Sequence, residues 1–355
     1  MPANIGWANT DAKSPLQPFP FDRAPIGDED VRIDVVNCGV CHSDVHQARD
    51  EWQNDALKTN FPCMPGHEIA GTVSEVGANV TEHAVGDRVG VGCMVYWGSD
   101  DQRGVQEENY QVPPAVFTYN APDPDSGEVT FGGYSDQVLV NQHFVLKLPD
   151  ALPFEKAAPI LCAGVTTWSP LDHWGVGKGH TVAVAGIGGL GHMAIQLAKA
   201  RGAERVVALT TTPEKVELAK RLGADEAVLM SDEDAVGRLD STFDFVLTTI
   251  PTAFDMNPYL QLIKHDGTLV TVGMLEPIPE GGVDFAVVSQ KRISISGSMI
   301  GSIAETQAVL DFCAEHDVAP EVHVIPIDRI NDAFDEIVAN DVHFRYVIDN
   351  ASLKA

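Results

Sequence analysis

The chain has no run of 18 consecutive apolar residues, which excludes a helix crossing a membrane. Its opening residues lack a basic stretch leading into an apolar one, so no secretory leader is expected and the protein is expected in the cytoplasm. Bases are scarce: 23 Lys and Arg stand against 51 Asp and Glu, for a formal net charge of −28. Such a surface repels nucleic acid and anionic membranes at long range, so neither is an expected partner. The same excess of acid favours solubility and is compatible with a salty cytoplasm. Cysteine is sparse too. Six residues, at 38, 41, 63, 93, 162 and 313, are scattered too widely for a disulfide framework, which leaves metal binding or core packing. Internal repeats and low-complexity tracts are absent.

What is present is an ordinary apolar content of 44% in 355 residues, too long for one compact core, so two domains are expected. After a Pro-rich start (Pro15, Pro18, Pro20), residues 31–37 alternate as a strand should. Residues 61–92, rich in Gly and Val, read as loops and short strands. The texture changes near Leu152. Apolar runs at 181–185, 205–209, 226–229, 243–248, 268–272 and 293–297 alternate with helical stretches such as 190–200 and 213–222. Alternation of this kind implies right-handed crossovers and a doubly wound parallel sheet in an α/β fold. A helix at 304–315 and a short β-like tail follow, and the tail is expected to pack back on the N-terminal domain. The expected division is 1–152, 153–297 and a return segment 298–355.

The run 181–185 leads into Gly186-Ile-Gly188-Gly189-Leu190-Gly191-His, a G-x-G-x-x-G pattern between strand and helix. Gly186 permits a tight turn, Gly188 lets backbone approach a pyrophosphate, and Gly191 lets the helix pack against the strand. A dinucleotide is the expected ligand, held at the helix N-terminus. The strand that follows ends in Thr210-Thr211-Thr212-Pro213-Glu214-Lys215, with hydroxyls where an NAD site carries an acid. Thr211, Thr212 and Lys215 suit a 2′-phosphate, so NADP(H) is expected. Glu214 is the one residue that could favour NAD, and the same stretch also reads as a helix-capping turn before Pro213.

Cys38-Gly-Val-Cys41-His42-Ser43-Asp44-Val-His46 is dense in ligand types, and His67 in Pro-Gly-His67-Glu68 comes 26 residues after Cys41. Cys162 in Leu-Cys162-Ala-Gly-Val-Thr166 precedes the nucleotide domain. Two thiolates and one imidazole from three segments would make a Cys₂His zinc site with an open fourth position, the catalytic pattern.

These motifs, with Gly297-Ser-Met299-Ile300-Gly301-Ser and Phe344-Arg345-Tyr, resemble the medium-chain dehydrogenases, and most nearly the cinnamyl-alcohol-dehydrogenase-like aldehyde reductases. The likeness runs from about residue 31 to 347. It implies a β-rich GroES-like catalytic domain joined to a Rossmann domain, and a homodimer. It implies that Cys41, His67 and Cys162 hold a catalytic zinc, that Glu68 is a nearby or exchanging ligand, and that Asp44 orients His67. Gly186, Gly188, Gly189, Leu190, Gly191 and Thr166 would contact the cofactor. Cys38 reads as a buried neighbour. The family's four-cysteine lobe is missing: between Cys93 and Gln111 only Cys93 remains. One zinc, with no structural zinc, is therefore expected. Asp100, Asp101, Glu107 and Glu108 in that stretch read as a solvated acidic loop.

The implied reaction is hydride transfer between NADP(H) and a primary alcohol or aldehyde, with zinc as Lewis acid. Ser43 would touch the substrate oxygen, and His46 would relay the proton through the cofactor ribose. As alternatives, Ser43 is a helix cap and His46 a surface histidine. Cys93, Phe117, Met299 and Ile300 would line an apolar pocket, with Trp52 and Trp97 as further wall, suited to aromatic or medium aliphatic substrates. The competing readings are a zinc-free quinone or enone reductase of the same fold, and a catalytically silent NADPH-binding protein.

Overall fold

The computed structural model describes residues 3–52, 57–96, 107–110, 116–122, 127–273, 276–339 and 344–354. They form two compact units: Met1–Cys162 with Gly301–Ala355, and Ala163–Ile300.

The first unit is built on the strand Asp30–Val40. Val31 and Ile33 are fully buried, and Asp34 between the buried positions faces out, the period of two of a half-buried strand. From Asn37 to Val40 every residue is buried, so the strand dives into the interior as it approaches Cys41. It pairs antiparallel with Ile69–Val76 on one side and with Gln137–Asn141 and Arg345–Asp349 on the other. The C-terminal strand therefore closes the sheet begun near the N-terminus, with Tyr346 opposite Val40 and Asp349 opposite Asn37. Arg88–Val91, Leu146–Lys147 and Val322–Pro326 complete a seven-stranded sheet.

The second unit holds six parallel strands in the spatial order Glu226–Leu229, Arg205–Thr210, Thr181–Ala185, Phe243–Thr248, Ile263–Thr271, Ser294–Gly297. This is the doubly wound arrangement the alternating pattern implies. Val182–Ala185, Val206–Leu209 and Phe245–Leu247 are buried, as strands covered on both faces must be. Each large side chain so buried, such as Phe243 or Leu260, contributes about 1.5–3 kcal/mol of transfer free energy. The strand expected at 268–272 begins earlier, at Ile263. Its first part carries the exposed polar pair His265 and Asp266, which interrupts the apolar signal. Strand order reverses at Thr181–Ala185, the point where such sheets bind ligands. No described helix is long and apolar enough to cross a membrane.

Candidate active site

Cys41 leaves the buried end of Asp30–Val40 and becomes the N-cap of the helix His42–Ala48. Asp44 sits at the third helical position, and its Oδ2 accepts the Cys41 N–H at 2.8 Å. One capping interaction thus fixes both a thiol and a carboxylate. Asp44 Oδ1 lies 3.0 Å from His67 Nδ1. That leaves His67 Nε2 facing Cys162 Sγ at 3.3 Å. Cys162 is carried by a π-helical turn, Ile160–Gly164, between the helices Phe154–Pro159 and Val165–His173. Pro159 has no N–H for an i→i−4 bond, and the helix widens immediately after it.

One donor atom each from Cys41, His67, Glu68 and Cys162 lies within 4.8 Å of the others, and all four residues are buried. The Cys162 thiol hydrogen-bonds Cys41 and Cys93, which pulls those two toward thiolate and pushes Cys162 the other way. Arg345, 5% exposed, brings Nη2 to 3.0 Å from Glu68 Oε1, as an ion pair without hydrogen-bond alignment. Burial pushes the Glu68 carboxyl up to about 8 despite the pull of Arg345. For Arg345, burial is the largest influence and works against the charge, but Glu68 together with Cys41 and Cys162 outweighs it and raises the guanidinium above its ordinary value. The two shifts pull in different senses; at 3.0 Å the ion pair is the form the geometry supports, and burial makes it a marginal one.

The remaining expected site residues fall as follows. Ser43 is in the helix rather than capping it, with Oγ 3.6 Å from Cys41 Sγ. His46 is half-buried, stacked on His42 at 4.5 Å and 4.9 Å from Trp52, with Nδ1 2.8 Å from Glu51 Oε2. Cys93, half-buried, touches Cys162, and Phe117 pairs opposite Met94 in a short two-stranded sheet. Met299 and Ile300 belong to the other unit, Met299 being 41% exposed. Cys38 is fully buried, outside the ligand cluster. Trp97, Asp100 and Asp101 lie outside the described residues. The expectation of a solvated acidic loop fails at Glu108. Its buried carboxylate lies 2.9 Å from His143 Nε2 and accepts the Ile303 N–H at 3.2 Å, because a helix N-terminus and an imidazole supply donors there. Motif reasoning missed the pairing of Arg345 with Glu68, Glu51 on His46, and the tyrosines Tyr119 and Tyr134 on Asp44.

In the second unit Gly186 has φ +89°, which an L side chain rarely adopts. Gly191 opens the helix Gly191–Ala200, and a Cβ there would stand 2.0 Å from the Gly186 carbonyl oxygen. Gly189 and Leu190 form the turn between them, Leu190 as N-cap. Thr166 Oγ1 is buried with no hydrogen-bond partner among the described residues. Beyond Arg205–Thr210, Thr211 is exposed, while Thr212 and Lys215 are half-buried. The Lys215 amine is lowered by burial. The helix starts at Lys215 with Glu214 as N-cap and no side-chain cap, so Thr212 does not cap it.

A buried cluster of thiols, imidazole and carboxylate in one unit, and a glycine turn at the switch point of a parallel sheet in the other, define a zinc-binding, dinucleotide-dependent dehydrogenase fold. The chain belongs to the zinc-binding medium-chain alcohol dehydrogenase family. Residues 27–150 match the alcohol dehydrogenase GroES-like domain and residues 189–315 the zinc-binding dehydrogenase family. Within it, the chain is 46% identical to NADP-dependent alcohol dehydrogenase C 1 of Mycolicibacterium smegmatis over 98% of each chain. It is 45% identical to aldehyde reductase YahK of Escherichia coli over 96% of this chain and 97% of that one. Among solved structures it is similar to a cinnamyl alcohol dehydrogenase of Sorghum bicolor, with a TM-score of 0.90, 38% identity and 98% coverage of each chain.

Proposed function

We infer that this protein is an NADP(H)-dependent alcohol dehydrogenase and aldehyde reductase with one catalytic zinc. The carrying observation is the buried donor set of Cys41, His67, Glu68 and Cys162. Two thiols and an imidazole are the donors zinc prefers in catalytic sites, and both Glu68 oxygens lack a hydrogen-bond partner among the described residues. Cys41, His67 and Cys162 would hold the metal, with Glu68 beside them. The glycine turn and the unpartnered Thr166 hydroxyl fit a dinucleotide. When bound, these groups supply Lewis-acid polarisation of the substrate oxygen and a hydride carrier.

The chain's own residues do the rest. Asp44 holds His67 Nδ1, fixing the tautomer that presents Nε2 to the cluster. In the oxidative direction Ser43 Oγ accepts the alcohol proton as it releases its own hydroxyl proton toward His46, which takes up one proton at Nε2 and gives up another from Nδ1. His46, three residues along the same helix, passes a proton to Glu51, which lies 2.8 Å from its Nδ1 at the half-exposed edge. Thr211, Thr212 and Lys215 take the 2′-phosphate, a reading supported by the NADP dependence in the name of the M. smegmatis relative. Cys93 and Phe117, both in the unit that carries the metal cluster, supply apolar lining for an aromatic or medium aliphatic aldehyde. The unit Met1–Cys162 with Gly301–Ala355 serves as the catalytic domain and Ala163–Ile300 as the cofactor domain. A panel of aromatic and aliphatic aldehydes, each assayed with NADPH and NADH, tests this reading. Turnover with NADPH well above NADH supports it, and no turnover with any aldehyde or alcohol removes it.

A further inference from the structure

Asp44 is fully buried, and its carboxylate is surrounded by donors. Oδ1 meets His67 Nδ1 at 3.0 Å and accepts the Gly66 N–H at 3.3 Å. Oδ2 accepts the Cys41 N–H at 2.8 Å and the Tyr134 hydroxyl at 3.1 Å. Tyr119, whose ring stacks on His67 at 5.7 Å, also hydrogen-bonds this carboxylate. The backbone donors belong to the segments that carry Cys41 and His67. Tyr134 comes from elsewhere, and its place is built with care. It is fully buried, and its segment is tied to the one before His67: Gly132 N donates to Met64 O at 2.9 Å, Gly133 N to Gly66 O at 2.9 Å and Tyr134 N to Pro65 O at 3.0 Å. Asn350 Nδ2 donates to the Gly133 and Ser135 carbonyls, each at 2.8 Å, and Arg23 donates to the Phe131 carbonyl at 2.9 Å. The hydroxyl therefore arrives at Oδ2 on a braced loop.

A neutral imidazole can offer Nε2 to a metal only if its proton stays on Nδ1. Here that proton points at one oxygen of Asp44, so the rotation of the carboxylate sets the aim of the imidazole. Two donors on Oδ2 stop that rotation, and one of them is a side chain that can be changed without touching the backbone.

We propose that Tyr134 is a positioning residue for the metal centre: its hydroxyl, acting through Asp44, holds the His67 imidazole in line and slows the escape of zinc. The proposal rests on the zinc reading above. If Tyr134 were only a core aromatic, packed near Phe334 at 6.4 Å, loss of its hydroxyl would leave zinc retention unchanged.

The test is zinc release from purified holoenzyme to a colorimetric chelator, with zinc per chain measured beforehand. Wild type, Tyr134→Phe, Asp44→Asn and the double variant are compared, with thermal melts of each. Phe keeps the ring and so the packing. Tyr134→Phe is expected to release zinc about 10–100-fold faster at a melting temperature close to wild type, the range seen when outer partners of metal ligands are removed. In the Asp44→Asn background the same change is expected to shrink to less than about 2-fold, because the path it acts through is already altered. Unchanged release from Tyr134→Phe overturns the proposal and leaves the zinc reading intact. An equal acceleration in both backgrounds also overturns it, since the hydroxyl would then act on packing and not through Asp44. Wild-type protein that holds no zinc overturns the zinc reading itself.

Discussion

Substituting Gly191 by Ala tests the glycine turn on both stability and binding. The added Cβ would stand 2.0 Å from the Gly186 carbonyl oxygen, 2.9 Å from its carbon and 3.4 Å from Thr249 Oγ1. The near neighbours are backbone, so the strain cannot be absorbed by turning a side chain; the turn itself must move by about 1 Å, at an overpacking cost of about 1–3 kcal/mol. The Gly186 carbonyl is also held by Thr249, whose hydroxyl donates to it at 3.2 Å, and the Gly186 N–H donates to Leu209 O at 3.0 Å. Displacement therefore loosens the join between strand and helix. At about 2–4 °C per kcal/mol for a protein of this size, the melting temperature should fall by several degrees. The same displacement moves the helix N-terminus relative to the phosphates. Loss of even two hydrogen bonds of about 1 kcal/mol each weakens NADPH about 30-fold. Gly188→Ala is the control. A Cβ there meets nothing within 4 Å, so the melt of the cofactor-free protein should stay near wild type. NADPH should still bind more weakly, because the methyl occupies space the pyrophosphate needs. Thermal melts without cofactor and fluorescence titrations with NADPH give both quantities. Wild-type melting and affinity in Gly191→Ala would refute the steric argument; wild-type affinity in Gly188→Ala would refute the placement of the pyrophosphate.

Arg345→Met leaves the Glu68 carboxyl buried without its cation and should cost about 3–5 kcal/mol in urea unfolding, with part of the loss recovered by adding Glu68→Gln; a loss below about 1 kcal/mol would show that the pair is not formed. Lys215→Ala should weaken NADPH by about 1.5–3 kcal/mol and NADH much less, measured by titration of each cofactor, and equal effects would show that Lys215 does not read the phosphate. With a net charge of −28, surface repulsion should be relieved by salt, so the melting temperature should rise from about 0.1 M to 1 M NaCl as the Debye length shrinks from about 10 Å to 3 Å; a flat or falling trend would remove net repulsion as a significant force.

Much of the fold was legible because its determinants are local. The parallel strands are short apolar runs, and each of the six expected stretches overlaps a strand of the sheet. The early start of Ile263–Thr271 was hidden by His265 and Asp266, which are polar at an exposed strand end. Cys41, His67 and Cys162 stood out by residue type and by family resemblance, and the structure gathers them with Glu68. Their supports were not legible. Tyr134 sits in a Gly-Gly-Tyr-Ser loop with no motif, and only the tertiary pairing of residues 132–134 with 64–66 brings its hydroxyl to Asp44. Arg345 is brought to Glu68 by the pairing of Arg345–Asp349 with Asp30–Val40, a contact between chain ends that no spacing rule reveals. Glu108 reads as one acid among several until His143 and Ile303 are seen beside it. The widened turn that carries Cys162 follows Pro159, and no motif around Cys162 announces it.

The central claim is that aldehyde reduction by this chain depends on zinc held by Cys41, His67 and Cys162. The direct measurement is NADPH oxidation with an aromatic aldehyde, followed by absorbance before zinc removal, after removal by chelator, and after zinc is returned. The donor set predicts that turnover falls to background on removal and recovers as about one zinc per chain rebinds, with Cys162→Ala inactive throughout. Undiminished turnover in protein shown to hold no zinc would contradict the account.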